Sequence, residues 1–306
     1  MAPGVLRDGG DVDHGRVASA SDLVGRDAER AVAGQALARA ESGTVGLLVE
    51  GDTGMGKSAL VGWMIDRVGD SHHVLLCRPT PSEAQLAYVA LGDLLGGAME
   101  EIAGLVSEPR RLALSRALSV TTSGPVADWR AVAAGLFESI RSLAQRRPVV
   151  IAIDGLEWLD EASAHVLAFV LRRFRHEPIL IVATRRPGRR GPLRFDDVID
   201  GARLLRIALG PLDAALLAGL VQGRAPASLD RETLTQIVRV SAGNPLFALE
   251  LAAAPRRLSG VRSETFDELL VPEKLRLVLI DRLAGLDAAA ARALTVAAAL
   301  ARPTVA

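Results

Sequence analysis

Short, nearly continuous apolar runs alternate along the chain with longer stretches in which apolar residues recur every three or four positions. The short runs cover residues 44–50, 74–77, 148–154, 179–185 and 203–209. They are brief, rich in Val and Ile and bounded by polar or glycine residues, which predicts buried strands. The periodic stretches between them predict helices over 28–40, 57–69, 83–118 (broken near Gly96-Gly97 and at Pro109) and 127–145. The last of these places Val132, Leu136, Phe137, Ile140 and Leu143 on one side. Strand and helix in alternation predict an α/β fold with helices on both faces of a sheet. Beyond residue 210 the pattern turns helical only: 211–222, opened by Pro211, then 230–241, 245–254, 272–284 and 287–301. That shift predicts a second, helical domain. Residues 1–21 are rich in Gly, Asp and Ser and predict a disordered lead-in.

Candidate chemistry sits where the apolar runs end. After the first run, Gly51-Asp52-Thr53-Gly54-Met55-Gly56-Lys57-Ser58 fits G-x-x-x-x-G-K-[ST] between a strand and a helix. Such glycines let backbone N–H groups turn toward an anion without a Cβ in the way. Lys57 is placed to reach the β- and γ-phosphates, and Ser58 to ligate Mg²⁺ through its hydroxyl. The expected ligand is Mg²⁺ with ATP or ADP, held by residues 51–59, Ala59 included. Only two of the 36 basic residues are lysines, Lys57 and Lys274, so the lysine in this loop is not a generic charge. The run over 148–154 ends in Asp154, the pattern of a Walker B strand, and predicts a second Mg²⁺ ligand at the C-terminal edge of a parallel sheet. The run over 179–185 ends in Arg185, whose guanidinium would donate to a phosphate oxygen from the same edge.

Several residues read more simply. His72 and His73 have no partner at metal-ligand spacing and read as solvated loop residues. Arg185, Arg186, Arg189 and Arg190 form a basic cluster without interleaved aromatics, which reads as a solvated loop rather than a nucleic-acid surface. Ser241-Ala242-Gly243-Asn244-Pro245 reads as a helix end with a proline opening the next helix.

Composition narrows the setting. With 36 acidic and 36 basic residues, no net field draws the chain to nucleic acid or an anionic membrane. One cysteine, Cys77, excludes an internal disulfide, and no apolar run approaches the ~18 residues of a membrane span. A cytoplasmic protein is expected, with no sequence-specific DNA binding by these residues alone.

The segment from Asp154-Gly-Leu-Glu157-Trp158-Leu-Asp160 through Leu167 to Phe174 resembles the ATPase module of the large ATP-binding LuxR-type transcriptional regulators. These belong to the STAND class of signal-transduction ATPases, allied to the AAA+ proteins. Leu23-Val24-Gly25-Arg26 resembles that family's opening motif, and residues 85–95 its segment after the second strand. The resemblance spans roughly residues 22–300. It implies a P-loop NTPase sheet of order 5-1-4-3-2 over residues 22–210, a helical lid over 211–265 and the start of a winged-helix domain over 266–306. It also implies nucleotide contacts from Val24, Gly25 and Arg26, a sensor role for Arg185, and packing of Pro245 near the adenine. In that family a second acid follows the Walker B aspartate and orients the attacking water; here that position is Gly155. Glu157 and Asp160 are the nearby candidates for the catalytic role, and slow or absent hydrolysis is expected. The implied function is a nucleotide-dependent switch that controls self-association and transcription activation, with DNA bound only through a C-terminal module beyond these residues. The chain then reads as a fragment or truncated member. The alternatives are an AAA+ ATPase acting on nucleic acid and a small-molecule P-loop kinase.

Overall fold

The structure, a computed structural model, describes residues 23–118, 128–225, 229–253 and 288–301. The lead-in over 1–21, the helix over 272–284 and most of the expected winged-helix segment over 266–306 lie outside the described residues. The chain divides into two compact units. Among the described residues, one holds those up to Asp52 and from Gly56 to Leu209; the other holds Thr53–Met55 and those from Gly210 on.

In the first unit, β1 (Val45–Gly51), β2 (His73–Cys77), β3 (Val149–Asp154), β4 (Ile179–Arg185) and β5 (Leu204–Leu209) form a parallel sheet of order β2-β3-β4-β1-β5. This is the order that the resemblance implies, read from the opposite edge. The three central strands, β3, β4 and β1, are buried on both faces, which is why they read as unbroken apolar runs instead of alternating ones. Leu48, Ile151, Ile153, Ile181 and Ala183 belong to one large core with α3 (Val89–Gly96), α5 (Glu108–Leu118), α6 (Trp129–Ala144) and α7 (Glu161–Leu171). The residues between them, such as Val49, Val150, Ala152 and Val182, are also buried. Helices α1 (Asp27–Ala40) and α2 (Lys57–Val68) pack on the sheet as well. Two short helices, α4 (Met99–Ala103) and α8 (Phe195–Val198), complete the unit.

Helix α6 shows how pattern becomes packing. Asp128 caps it by accepting from the Arg130 N–H at 3.0 Å. Val132, Leu136, Ile140 and Leu143 are fully buried, and each contributes on the order of 1.5–3 kcal/mol by burial. Phe137, only partly buried, stacks on Phe174 with centroids 5.0 Å apart. Leu136→Ala would break this face at a cost of about 2–5 kcal/mol.

Two local readings change. His73 is not a loop residue: it opens β2 and is 7% exposed, with Glu101 Oε2 3.5 Å and an Arg147 nitrogen 3.4 Å from its Nδ1. Burial lowers its pKa, with Glu101 opposing. Pro109 does not break a helix; it lies in the first turn of α5, where its missing N–H is harmless.

The second unit contains α9 (Ala214–Arg224), α10 (Arg231–Ser241), α11 (Pro245–Ala253) and α12 (Ala288–Ala301). Asp213 and Asp230 cap α9 and α10 by accepting from the Leu216 and Thr233 N–H groups, each at 2.8 Å. Pro211 therefore precedes α9 and does not open it. A short polar side chain capping a helix outweighs proline's preference for its first turn. Helix α10 ends with Ala242 left-handed at φ 48°, and Pro245 opens α11.

Candidate functional site

Parallel pairing brings the ends of β1, β3 and β4 to one edge of the sheet, and the candidate residues gather there. Gly51 closes β1 and Gly56, at φ 94°, precedes α2. No side chain caps α2 and no acid lies in its first turn, so its leading N–H groups and positive dipole end suit an anion. Lys57 Nζ donates to the Gly51 carbonyl at 2.7 Å and the Asp52 carbonyl at 3.1 Å. Burial lowers its pKa; Glu157 and then Asp154 are the strongest charges opposing that shift, while Arg186 adds to it. Ser58 and Asp52 are exposed, Thr53 and Ala59 half-buried, and Met55 buried.

Asp154 ends β3, and its Oδ1 accepts from the Thr184 hydroxyl at 2.7 Å. The β3–β4 register makes the two direct neighbours. Gly155 follows at φ 116° and ψ 64°, a conformation a side chain would strain, and starts a tight turn, Leu156–Trp158. That turn carries Glu157 back among the charges around Lys57. Its side chain is 9% exposed, with Oε1 3.2 Å from Arg186 Nε and Oε2 buried without a hydrogen-bond partner. Arg186 also lies over the Trp158 ring at 5.6 Å.

Asp160, the other sequence candidate, is occupied. Its Oδ1 accepts from the Ser163 N–H at 2.8 Å, capping α7, and from the Tyr88 N–H at 2.9 Å. Its Oδ2 accepts from the Ala90 N–H at 3.2 Å, and the residue is 3% exposed. These three bonds give it a structural place: it joins α7 to the start of α3, where Tyr88 stands left-handed at φ 65°.

Arg185 is likewise engaged. Its Nε donates to Glu50 Oε1 at 2.9 Å and its Nη1 to Asp196 Oδ2 at 2.5 Å. Burial alone would lower its pKa, but these carboxylates outweigh burial and hold it above its ordinary value. Glu50 faces Arg185 across the β1–β4 pairing. Arg186, the residue after β4, and not Arg185 is among the charges acting on Lys57. At the opening motif, Gly25 is left-handed at φ 66° and Val24 is half-buried. Arg26, 6% exposed, pairs with Glu29 at 3.0 Å in the first turn of α1.

In the second unit, Pro245 is half-buried and Asn244, one residue earlier, is 2% exposed. Asn244 Nδ2 donates to the Thr53 carbonyl at 2.9 Å, and its Oδ1 accepts from the Phe247 N–H at 3.2 Å, capping α11. Sequence reasoning missed Asn244, Arg186, Thr184 and Glu50. Thr184 and Glu50 were within reach, because aligning the parallel strands by their polar ends pairs them with Asp154 and Arg185. Asn244 and Arg186 carried no local signal beyond sitting beside residues already singled out.

No helix among the described residues is long and apolar enough to cross a membrane, and they contain no group of three or more His, Cys, Asp or Glu placed to hold a metal. The AAA ATPase domain family matches residues 22–182. An uncharacterized protein of Rhizobium meliloti (strain 1021) is 28% identical over 119 residues, which are 38% of this chain and 11% of that protein's length. A Walker-type ATPase of Pyrococcus abyssi superposes with TM-score 0.53 at 14% identity, over 79% of this chain and 70% of that one. The ORC1 protein of Aeropyrum pernix, solved in complex with DNA, gives TM-score 0.51 at 18% identity, over 76% and 59%. At such identities the likeness speaks for the fold. The family match extends from before the opening motif across the phosphate loop to the body of β4, and the chain belongs to the AAA ATPase domain family.

Proposed function

We propose that the chain is the ATP-binding switch module of a LuxR-type transcriptional regulator of the STAND class, cycling slowly between ATP- and ADP-bound states that govern self-association. The observation that carries nucleotide binding is the phosphate loop at the sheet edge, with Lys57 set among Glu157 and Asp154. The residues fit a nucleotide with Mg²⁺. Ser58 is exposed at the start of α2, and Asp154 is steadied through one oxygen by Thr184. Ser58 and Asp154 would hold the ion, whose positive charge would offset that of the phosphates. Lys57 would leave the loop's own carbonyls for the phosphates.

Glu157 is the group proposed to orient water, through its buried Oε2, which has no other partner. Gly155 is what lets the backbone turn tightly enough to present it. Arg186 holds the other carboxylate oxygen, so Glu157 is a restrained acceptor and turnover is slow. Asp160 is left out of this proposal because backbone donors occupy it. Arg186 replaces Arg185 as the proposed arginine beside the phosphates. The regulator assignment rests on the resemblance of residues 154–174, 23–26 and 85–95, which lies outside what the fold likeness addresses.

A second reading, an ATPase acting on nucleic acid, is favoured by the exposed Arg189, Arg190 and Arg194 after β4. One experiment separates the two: phosphate release and light scattering with Mg-ATP, with and without duplex DNA. Turnover below about 1 s⁻¹, indifferent to DNA, with ATP-dependent self-association, supports the switch. DNA-stimulated turnover supports the second reading.

A further inference from the structure

The tip of the phosphate loop, Thr53–Met55, belongs to the same compact unit as Asn244. Two consecutive carbonyls of that tip are held. Thr53 O accepts from Asn244 Nδ2 at 2.9 Å and Gly54 O from the Leu246 N–H at 3.3 Å. Gly54 admits this approach only because it is glycine. A Cβ there would stand 2.5 Å from Asn244 Oδ1 and 2.8 Å from Leu246 Cβ, at φ 86°.

In a planar trans peptide the C=O and N–H point in opposite directions. No cis peptide occurs among the described residues. Fixing the Thr53 carbonyl toward Asn244 therefore turns the Gly54 N–H away from it, and fixing the Gly54 carbonyl does the same to the Met55 N–H. We propose that Asn244, together with the Leu246 N–H, is a positioning residue that aims the Gly54 and Met55 N–H groups as phosphate donors for a bound nucleoside di- or triphosphate. This deepens the nucleotide-binding reading and rests on it. Asn244 also caps α11 through Oδ1 while its Nδ2 serves the loop. Only a side chain with both a donor and an acceptor does both jobs.

Separating the two jobs tests the idea. Asn244→Ser keeps a good cap but cannot reach the Thr53 carbonyl; Asn244→Asp also keeps the cap and has no donor. The full chain carrying each variant is titrated with a fluorescent ADP analogue, displaced in turn by ADP, pyrophosphate and adenosine. Asn244→Ser should still fold cooperatively without nucleotide, its melting temperature lowered only by the lost Thr53 bond, lose about tenfold in ADP and pyrophosphate affinity and keep its adenosine affinity. Asn244→Asp should lose more, because its charge repels phosphate. ADP and pyrophosphate affinities within about twofold of wild type in both variants would overturn the proposal, as would an equal loss for adenosine. A wild-type chain that binds no ADP overturns the nucleotide-binding reading and this proposal with it; a wild type that binds and variants that bind equally well overturn this proposal alone.

Discussion

Glu157→Gln is nearly isosteric, so it tests charge without reshaping the turn Leu156–Trp158. The carboxylate is 9% exposed and meets Arg186 Nε at 3.2 Å through one oxygen. A glutamine still accepts there, so the loss of stability should stay below the roughly 3–5 kcal/mol of a buried charge left unpaired. The other oxygen, buried and without a partner, becomes an amide that donates and no longer attracts a proton from water. Help of that kind is worth about 10²–10⁴-fold, or roughly 3–5 kcal/mol of barrier. Nucleotide affinity should hold or rise, since a negative charge beside Lys57 has gone. Single-turnover phosphate release at saturating Mg-ATP, paired with an equilibrium titration of ATP, measures both. Wild-type turnover below about 1 s⁻¹, a further drop of about 10²–10⁴ in the variant and a Kd no weaker than wild type support the assignment. A variant that binds Mg-ATP and turns it over at the wild-type rate refutes it and moves the water to another group.

Three further outcomes are expected. Saturating Mg-ADP at a hundredfold excess over Kd should stabilise the fold by about 2.7 kcal/mol in thermal melts, and Lys57→Ala should remove most of that. Gly155→Asp restores an acid directly after Asp154. A side chain there has room, with the nearest atoms 3.5–3.6 Å from a Cβ, but φ 116° should cost about 1–3 kcal/mol by denaturant titration, so any faster turnover comes with a less stable protein. Burial alone would raise the Asp196 pKa, but hydrogen bonds from Arg185 and Arg206 hold it below its ordinary value. Its contribution to stability is therefore present above the unfolded-state value, near pH 4, and fades as pH falls through the lower folded value; Asp196→Asn should flatten the acid limb of a stability-versus-pH curve.

The strands and the phosphate loop were legible because their signals are local, whereas the strand order came from the resemblance. A strand buried on both faces is a run of apolar residues, and the loop's glycines, lysine and serine are consecutive. Partnerships were not legible. Asp160 looked like a spare acid beside Asp154, yet its partners Tyr88 and Ala90 lie some seventy residues earlier. Arg185 looked free at a strand end, while Glu50 stands opposite it on a strand formed 135 residues before. His73 looked solvated beside His72, but one residue's difference in where β2 begins buries it. In each case the sequence shows the group, and only the chain's path supplies what it touches.

The strand order also bears on how the protein emerges during synthesis. β1, which carries the phosphate loop, lies between β4 and β5, and neither neighbour exists when β1 leaves the ribosome. β4 is complete only at Arg185, about 130 residues later, which at ordinary elongation rates is on the order of ten seconds. Throughout that interval an apolar strand with both edges unpaired waits for its partners, and nascent or truncated chains ending before β4 should depend on holdase chaperones or aggregate.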